Sequence, residues 1–227
     1  MIPPMKVCFL LPPDLHSIES SIPKRLEGGK GLYPKLGILY VAAYAEKHAG
    51  VTASFLDCPA LGLDHPGLAR RIGTDRPDMV AISTLTFNLI DAYKAIRAIK
   101  EAAPETLVCV GGQHVNLYPQ ETLALEGVDF VIAGEAERPF ADLVRALEAG
   151  ASDAQLASIP GLGWKREGRM GFNSALDKVP DLDALPFPAR HLTDMGRYSH
   201  LIGKGSASRP CSPPAAARPL ASFATSA

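Results

Sequence analysis

The stretch Val108-Cys109-Val110-Gly111-Gly112-Gln113-His114 decides how this chain folds. It is a short apolar strand that ends in two adjacent glycines. An earlier run, Met79-Val80-Ala81-Ile82-Ser83-Thr84-Leu85, has the same form and ends in Ser-x-Leu. Both runs are too continuously apolar for edge strands. They read as central strands of a parallel sheet covered by helices on both faces. Each changes to small polar or glycine residues at its C-terminal end, which is where open α/β sheets bind ligands. A Gly-Gly at that point leaves no side chain in the space, so backbone can lie against a flat, bulky ligand.

Strands and helices alternate on either side of these two runs. A first strand over Lys6 to Pro12 leads through a loop rich in Pro, Ser and Gly to Tyr33-Pro34. A helix then starts near Lys35, with Leu36, Leu39, Tyr40, Ala43 and Tyr44 on one face, and closes at Gly50. Thr52 to Asp57 is the second strand, followed by a short helix with Leu68 and Ile72 on its apolar side. Asn88 suits the N-cap of a helix that buries Leu89, Ile90, Tyr93, Ile96 and Ile99. Leu107 to Val110 precedes a weaker helix over Pro119 to Leu125, and Phe130 to Ala133 precedes a helix over Ala136 to Glu148. This alternation predicts an α/β fold, an open, parallel, five-stranded, doubly wound sheet with right-handed crossovers. The expected domain covers residues 5–150.

Residues 151–203 read as a hairpin and linker. Gly161 to Asn173 forms a β-hairpin turning at Glu167-Gly168, and Asp181 to Pro188 is a proline-stiffened connector. Residues 204–227 differ in kind, since from Ser206 onward nearly every residue is Ala, Pro, Ser or Arg. A segment without apolar periodicity cannot bury a core and is expected to be disordered. Its composition equally fits an altered reading frame.

Composition excludes several classes. In 227 residues, 47% are hydrophobic and 21% charged, and the net charge of −1 makes no electrostatic case for nucleic acid or an anionic membrane. The longest apolar run, Leu36 to Ala45, is interrupted by Gly37 and too short to span a bilayer. The N-terminus has no secretory leader pattern, so a cytoplasmic protein is expected. Cys8, Cys58, Cys109 and Cys211 are far apart with no C-x-x-C, which suggests neither a zinc site nor a disulfide framework. Cys8 and Cys109 read as small buried hydrophobes.

Tyr33-Pro34-Lys35-Leu36-Gly37-Ile38-Leu39-Tyr40, Ser83-Thr84-Leu85, Gly111-Gly112-Gln113-His114 and Gly134-Glu135-Ala136-Glu137 occur in this order. In order and spacing they resemble the N-terminal half of cobalamin-binding radical S-adenosylmethionine (SAM) proteins, over about residues 5 to 200. The hairpin and Leu182-Asp183-Ala184-Leu185-Pro186 resemble that family's linker into the radical SAM barrel. The resemblance implies a Rossmann-like, flavodoxin-like domain with cobalamin on the C-terminal edge of its sheet. The nucleotide tail would be threaded between the loops after the first, third and fourth strands. Within Ser83-Thr84-Leu85, Ser83 and Leu85 would then contact the tail or the lower corrin face, and Gly111 and Gly112 would make room for the dimethylbenzimidazole. The plainer alternative is that Ser83 starts a loop and the glycines turn the chain.

Many cobalamin domains also carry Asp-x-His-x-x-Gly, whose His coordinates cobalt from below. Taking Gly37 as that glycine puts Pro34 at the His position and Leu32 at the Asp position. Asp14-Leu15-His16 has the right first three residues, but Glu19 stands where glycine is needed, so His16 is a weak candidate for a cobalt ligand. His114 either meets the corrin or caps a loop. Asp57 either bonds a ligand amide or opens the next turn. Glu135 and Glu137 are explained by the dipole of the last helix.

The resemblance implies cobalamin binding as the B12-binding portion of a methyltransferase- or cyclase-type radical SAM enzyme. Such an enzyme also needs SAM and a [4Fe–4S] cluster held by a cysteine triad. The chain has only Cys211 beyond the linker, so it is expected to be inactive alone and truncated before the barrel. Two other classes stay open: a nucleotide- or flavin-binding α/β module, and a ligand-free regulatory interaction domain. No G-x-G-x-x-G or Walker-type lysine loop follows the first strand, and only Asp14 stands at its acidic position.

Overall fold

A computed structural model describes residues 3–16, 32–179 and 181–198. The predicted tail at 204–227, with Cys211, lies outside the described residues, as does most of the loop after the first strand. Each strand forms where the sequence runs apolar without interruption. In β1 (Lys6–Leu11) every residue after Lys6 is buried, and in β3 (Met79–Ser83) only Ser83 is partly exposed. With β2 (Thr52–Asp57), β4 (Leu107–Gly111) and β5 (Phe130–Ile132) they make a parallel array in the order β2-β1-β3-β4-β5. The order reverses between β1 and β3, and ligands of open α/β sheets bind at such a switch point, beyond the strands' C-terminal ends.

The five parallel strands are those the sequence predicts. The hairpin, expected as the start of a linker, instead extends the sheet to seven strands. β6 (Leu162–Arg166) pairs antiparallel with β5, Phe130 facing Trp164, and β7 (Arg169–Phe172) is outermost. The turn at Glu167-Gly168 has φ of 50° and 75°, the twist that matches two paired strands. Burial of Trp164 and Leu162 in the main core supplies the reason the hairpin stays on the sheet.

Helices cover both faces. On one lie α1 (Leu36–Ala49) and, from the other end of the domain, α7 (Glu137–Glu148), which pack against each other over Val7, Phe9, Ala81 and Cys109. On the other lie α3 (His65–Asp75) and α4 (Leu89–Ala102), over Cys8, Leu10, Val80 and Val110. One-turn α2 (Cys58–Leu61), α5 (Gln113–Leu117), α6 (Pro119–Ala124) and α8 (Asp153–Ala157) fill the connections. Among the described residues no helix is long and apolar enough to cross a membrane.

Two helix faces differ from the expected ones. The inner face of α1 is Ile38, Leu39, Ala42, Ala43 and Ala45, with Tyr40 and Tyr44 at its flank, because close approach to both sheet and α7 requires small side chains. On α4, Ile90 is exposed and Asp91 is buried. The first turn of α4 lies against the β1 loop, whose backbone N–H groups need an acceptor there. Asn88 does not cap α4; its Oδ1 accepts from Leu85 N at 2.9 Å and closes the preceding turn. The connector returns along α1, where Ala189 N donates to Leu39 O at 3.0 Å and the Tyr198 hydroxyl donates to Asp57 at 3.0 Å.

Candidate cofactor-binding site

A cavity of about 300 Å³ opens at the C-terminal ends of β1, β3, β4 and β5, on the face covered by α1 and α7. That is the lower end of the size range of small-molecule sites. Its deep wall consists of Phe9, Ile38, Ala81, Cys109, Ile132 and Phe140, all buried. Phe9 and Phe140 meet at 5.4 Å between ring centroids. Alternation along β4 puts Cys109 and Gly111 on this face, while Val108 and Val110 pack against the opposite core. Burial pushes the Cys109 thiol well above its usual range, so it stays protonated. The polar lining, Ser83, Gln113, Asn116, Glu135 and Glu137, is confined to partly or fully exposed positions at the rim.

The two glycines are not equivalent. A Cβ on Gly111 would have only Ile132 O nearby, at 3.7 Å, and would stand in the cavity. Gly112 has φ of 101°, and a Cβ there would come within 2.4 Å of Thr84 O. Gly111 keeps the cavity open, whereas Gly112 lets two loops interlock. The interlock runs through Thr84, whose N and Oγ1 both donate to Gly111 O, at 2.8 and 3.0 Å. Thr84 is completely buried and does not line the cavity.

Of the other residues singled out from sequence, Ser83, Leu85 and Gly37 line the cavity. His114, Asp57 and His16 do not. His114 is buried, its Nδ1 paired with Thr86 Oγ1 at 3.2 Å and its ring against Tyr118, so it fastens its own loop. Asp57 caps α2, accepting from Ala60 N at 3.1 Å as well as from Tyr198. Burial holds its carboxyl above the usual range. His16 is turned toward the α3/α4 side. Its Nδ1 lies 2.7 Å from Asp91 Oδ1 and its Nε2 lies 2.9 Å from Lys94 Nζ. If Lys94 donates to Nε2, the Nδ1 nitrogen carries the imidazole proton.

Asp91 was not singled out from sequence, yet it organises that side. Its fully buried carboxylate accepts from Leu15 N at 2.9 Å, His16 N at 2.6 Å and the His16 ring, while His65 Nε2 pairs with the Asp91 main-chain O at 3.2 Å and lies 3.4 Å from the carboxylate. Burial pushes its pKa up, but the His16 ring and the two backbone donors outweigh it and hold the carboxyl below its usual range. Glu135 and Glu137 have more than the helix-dipole role read from sequence, since both line the cavity. Glu135 accepts from Val179 N at 2.5 Å, and burial raises the Glu137 carboxyl, with Glu135 and Asp177 adding to the rise. The Gly134-Glu135-Ala136-Glu137 motif marks these residues in sequence, but their place on the cavity follows from the packing of α7 against α1.

The sheet order and the cavity define a ligand-binding open α/β domain of the flavodoxin-like type. The B12 binding domain family matches residues 29–144, and this chain belongs to that family. An uncharacterized methyltransferase of Pyrococcus horikoshii is 32% identical over 195 residues, which is 86% of this chain and 40% of the relative. The anaerobic magnesium-protoporphyrin IX monomethyl ester cyclase of Rubrivivax gelatinosus is 25% identical over 80% of this chain and 32% of its own length. Among solved structures, the cobalamin-dependent S-adenosylmethionine radical enzyme OxsB, with aqua-cobalamin and S-adenosylmethionine bound, superimposes with a TM-score of 0.66 at 15% identity. That match covers 85% of this chain and 25% of OxsB. This chain therefore spans well under half of each of these proteins.

Proposed function

We propose that this B12-binding domain seats the nucleotide tail of cobalamin in the α1/α7 cavity, with the corrin over the loops that follow β3 and β4. The observation that carries the reading is the cavity itself, an apolar slot at the switch point kept open by Gly111 and Ala81. The residues fit such a ligand. A flat base needs an apolar cleft, and the rim offers Ser83, Gln113 and Asn116 to the sugar and amides. Leu85, Phe87, Leu117 and Tyr118 stand on the same edge as apolar surface for a macrocycle, and the last three are exposed. Among the described residues, no lysine or arginine lines the cavity, while Glu135 and Glu137 do. That charge pattern opposes a free nucleotide di- or triphosphate. It opposes cobalamin less, because the single phosphodiester of cobalamin is offset by the cobalt–corrin cation.

Bound there, cobalamin would supply cobalt-centred methyl-carrying or redox chemistry. This chain's residues would hold the tail, exclude water from the base and present the macrocycle on the sheet edge. The parent activity we infer is that of a radical SAM methyltransferase or cyclase, supported by the names of the relatives, and a cytoplasmic location belongs to the same reading. That the segment following the hairpin leads toward a further domain is also part of it. The test is to mix the purified chain with hydroxocobalamin and follow visible absorbance through gel filtration. Corrin should co-elute with the protein. A folded sample that retains none would overturn the reading.

A further inference from the structure

We infer that the cavity selects among cobamides by their lower base, favouring benzimidazoles over purines; this rests on the cobalamin reading above. The deep wall is Phe9, Ile38, Ala81, Cys109, Ile132 and Phe140, and its only side-chain heteroatom is the protonated Cys109 sulfur, a weak donor. Every polar side chain among the described lining residues sits at the rim, and two of them are already engaged. Asn116 Oδ1 accepts from Gly134 N at 2.8 Å, and Glu135 accepts from Val179 N. The backbone of β3 and β4 is committed to the sheet, Ala81 beside Cys109 and Ser83 beside Gly111.

Benzimidazole and adenine are flat bicycles of similar size, so cavity volume does not separate them. Polarity does. A dimethylbenzimidazole linked through one nitrogen has one ring acceptor left, and its two methyls face apolar wall. An adenine in the same place buries three ring nitrogens and an amino group against a wall that offers them no partners, and an unpaired buried polar group is costly. Apolar pockets reject isosteres that carry added polar groups by roughly 100-fold.

The test is equilibrium binding of three ligands to the purified full chain, read by visible absorbance after dialysis. The ligands are cobalamin, the adenine-bearing cobamide, and cobinamide, which has no nucleotide tail. Cobalamin should bind at least about tenfold more tightly than the adenine form, and cobinamide more weakly than cobalamin. Cys109→Ser, which sets a hydroxyl in the deep wall, should narrow the gap between the two cobamides. Equal or reversed affinity of the two cobamides in the wild-type chain would overturn the inference while leaving cobalamin binding intact. Equal binding of all three would show that the base does not enter the cavity. Binding of none by a folded sample would bring down the cobalamin reading itself.

Discussion

The two sides of the sheet's C-terminal edge use the same strand ends in opposite ways. On the α1/α7 side, small residues leave space: Gly37 on the helix, Ala81 and Gly111 on the strands, and Gly134 and Ala136 after β5 all border the cavity. On the α3/α4 side, the corresponding space is filled by a buried carboxylate, and Asp91 draws in His16, His65 and the backbone of the β1 loop. Successive residues of one strand face opposite ways. A single run such as Val108 to Gly111 can therefore seal one side and open the other. One side of the edge thus borders a void, while the other is held by a hydrogen-bonded carboxylate.

The largest effect should come from the joint between the two sides. Gly112→Val sets a β-branched side chain at φ of 101° and onto the Thr84 backbone. It should cost about 4 kcal/mol or more, combining backbone strain with overpacking. Urea unfolding would measure it, and a variant as stable as the parent would show that the interlock is not needed.

Asp91→Ala should come next, at about 3 kcal/mol, because it strands buried donors. The carboxyl is held below its unfolded value, so its contribution is complete above the ordinary aspartate range near pH ~4 and disappears as pH falls through the folded value. The stability gap between parent and variant should therefore close on acidification. A gap that is constant between neutral pH and pH ~3 would show that the ionised form is not what matters.

Gly111→Val sharpens the comparison most directly. Its Cβ meets nothing closer than 3.7 Å, so the strand should tolerate valine with a stability change under about 1 kcal/mol. Cobalamin affinity should fall more than about tenfold, because the methyls occupy the tail's space. Unchanged affinity in a folded Gly111→Val sample would move the tail elsewhere.

His16→Ala should do least. It removes one hydrogen bond to Asp91, about 1 kcal/mol, and should leave the corrin spectrum and affinity within about twofold. A large spectral change would show that His16 leaves Asp91 to reach cobalt.

Much of the fold was legible in the chain itself. Apolar runs of strand length, separated by helical periods and closed by residues such as Gly50, report local backbone geometry, and each residue carries its share of that signal. The pairing of Ser83-x-Leu85 with Gly111-Gly112 also pointed to the edge at which the cavity opens, since ends of adjacent parallel strands must lie side by side. Sequence alone did not distinguish Gly111 from Gly112. Both are glycines after a strand, and only the approach of Thr84 shows which one is needed for the backbone and which for the void. The same holds for Asp91, an ordinary polar residue by helical pattern. Its burial follows from unpaired N–H groups on a loop 75 residues away in sequence, a demand that no local pattern records. The hairpin's place on β5 and the contribution of α7 to the cavity wall were likewise decided by tertiary packing, because burying Trp164 and Phe140 requires partners remote along the chain. Periodicity and chirality are properties of the local backbone and can be read from sequence. Which space stays empty depends on how distant side chains fill volume together, and the three-dimensional structure alone decides that.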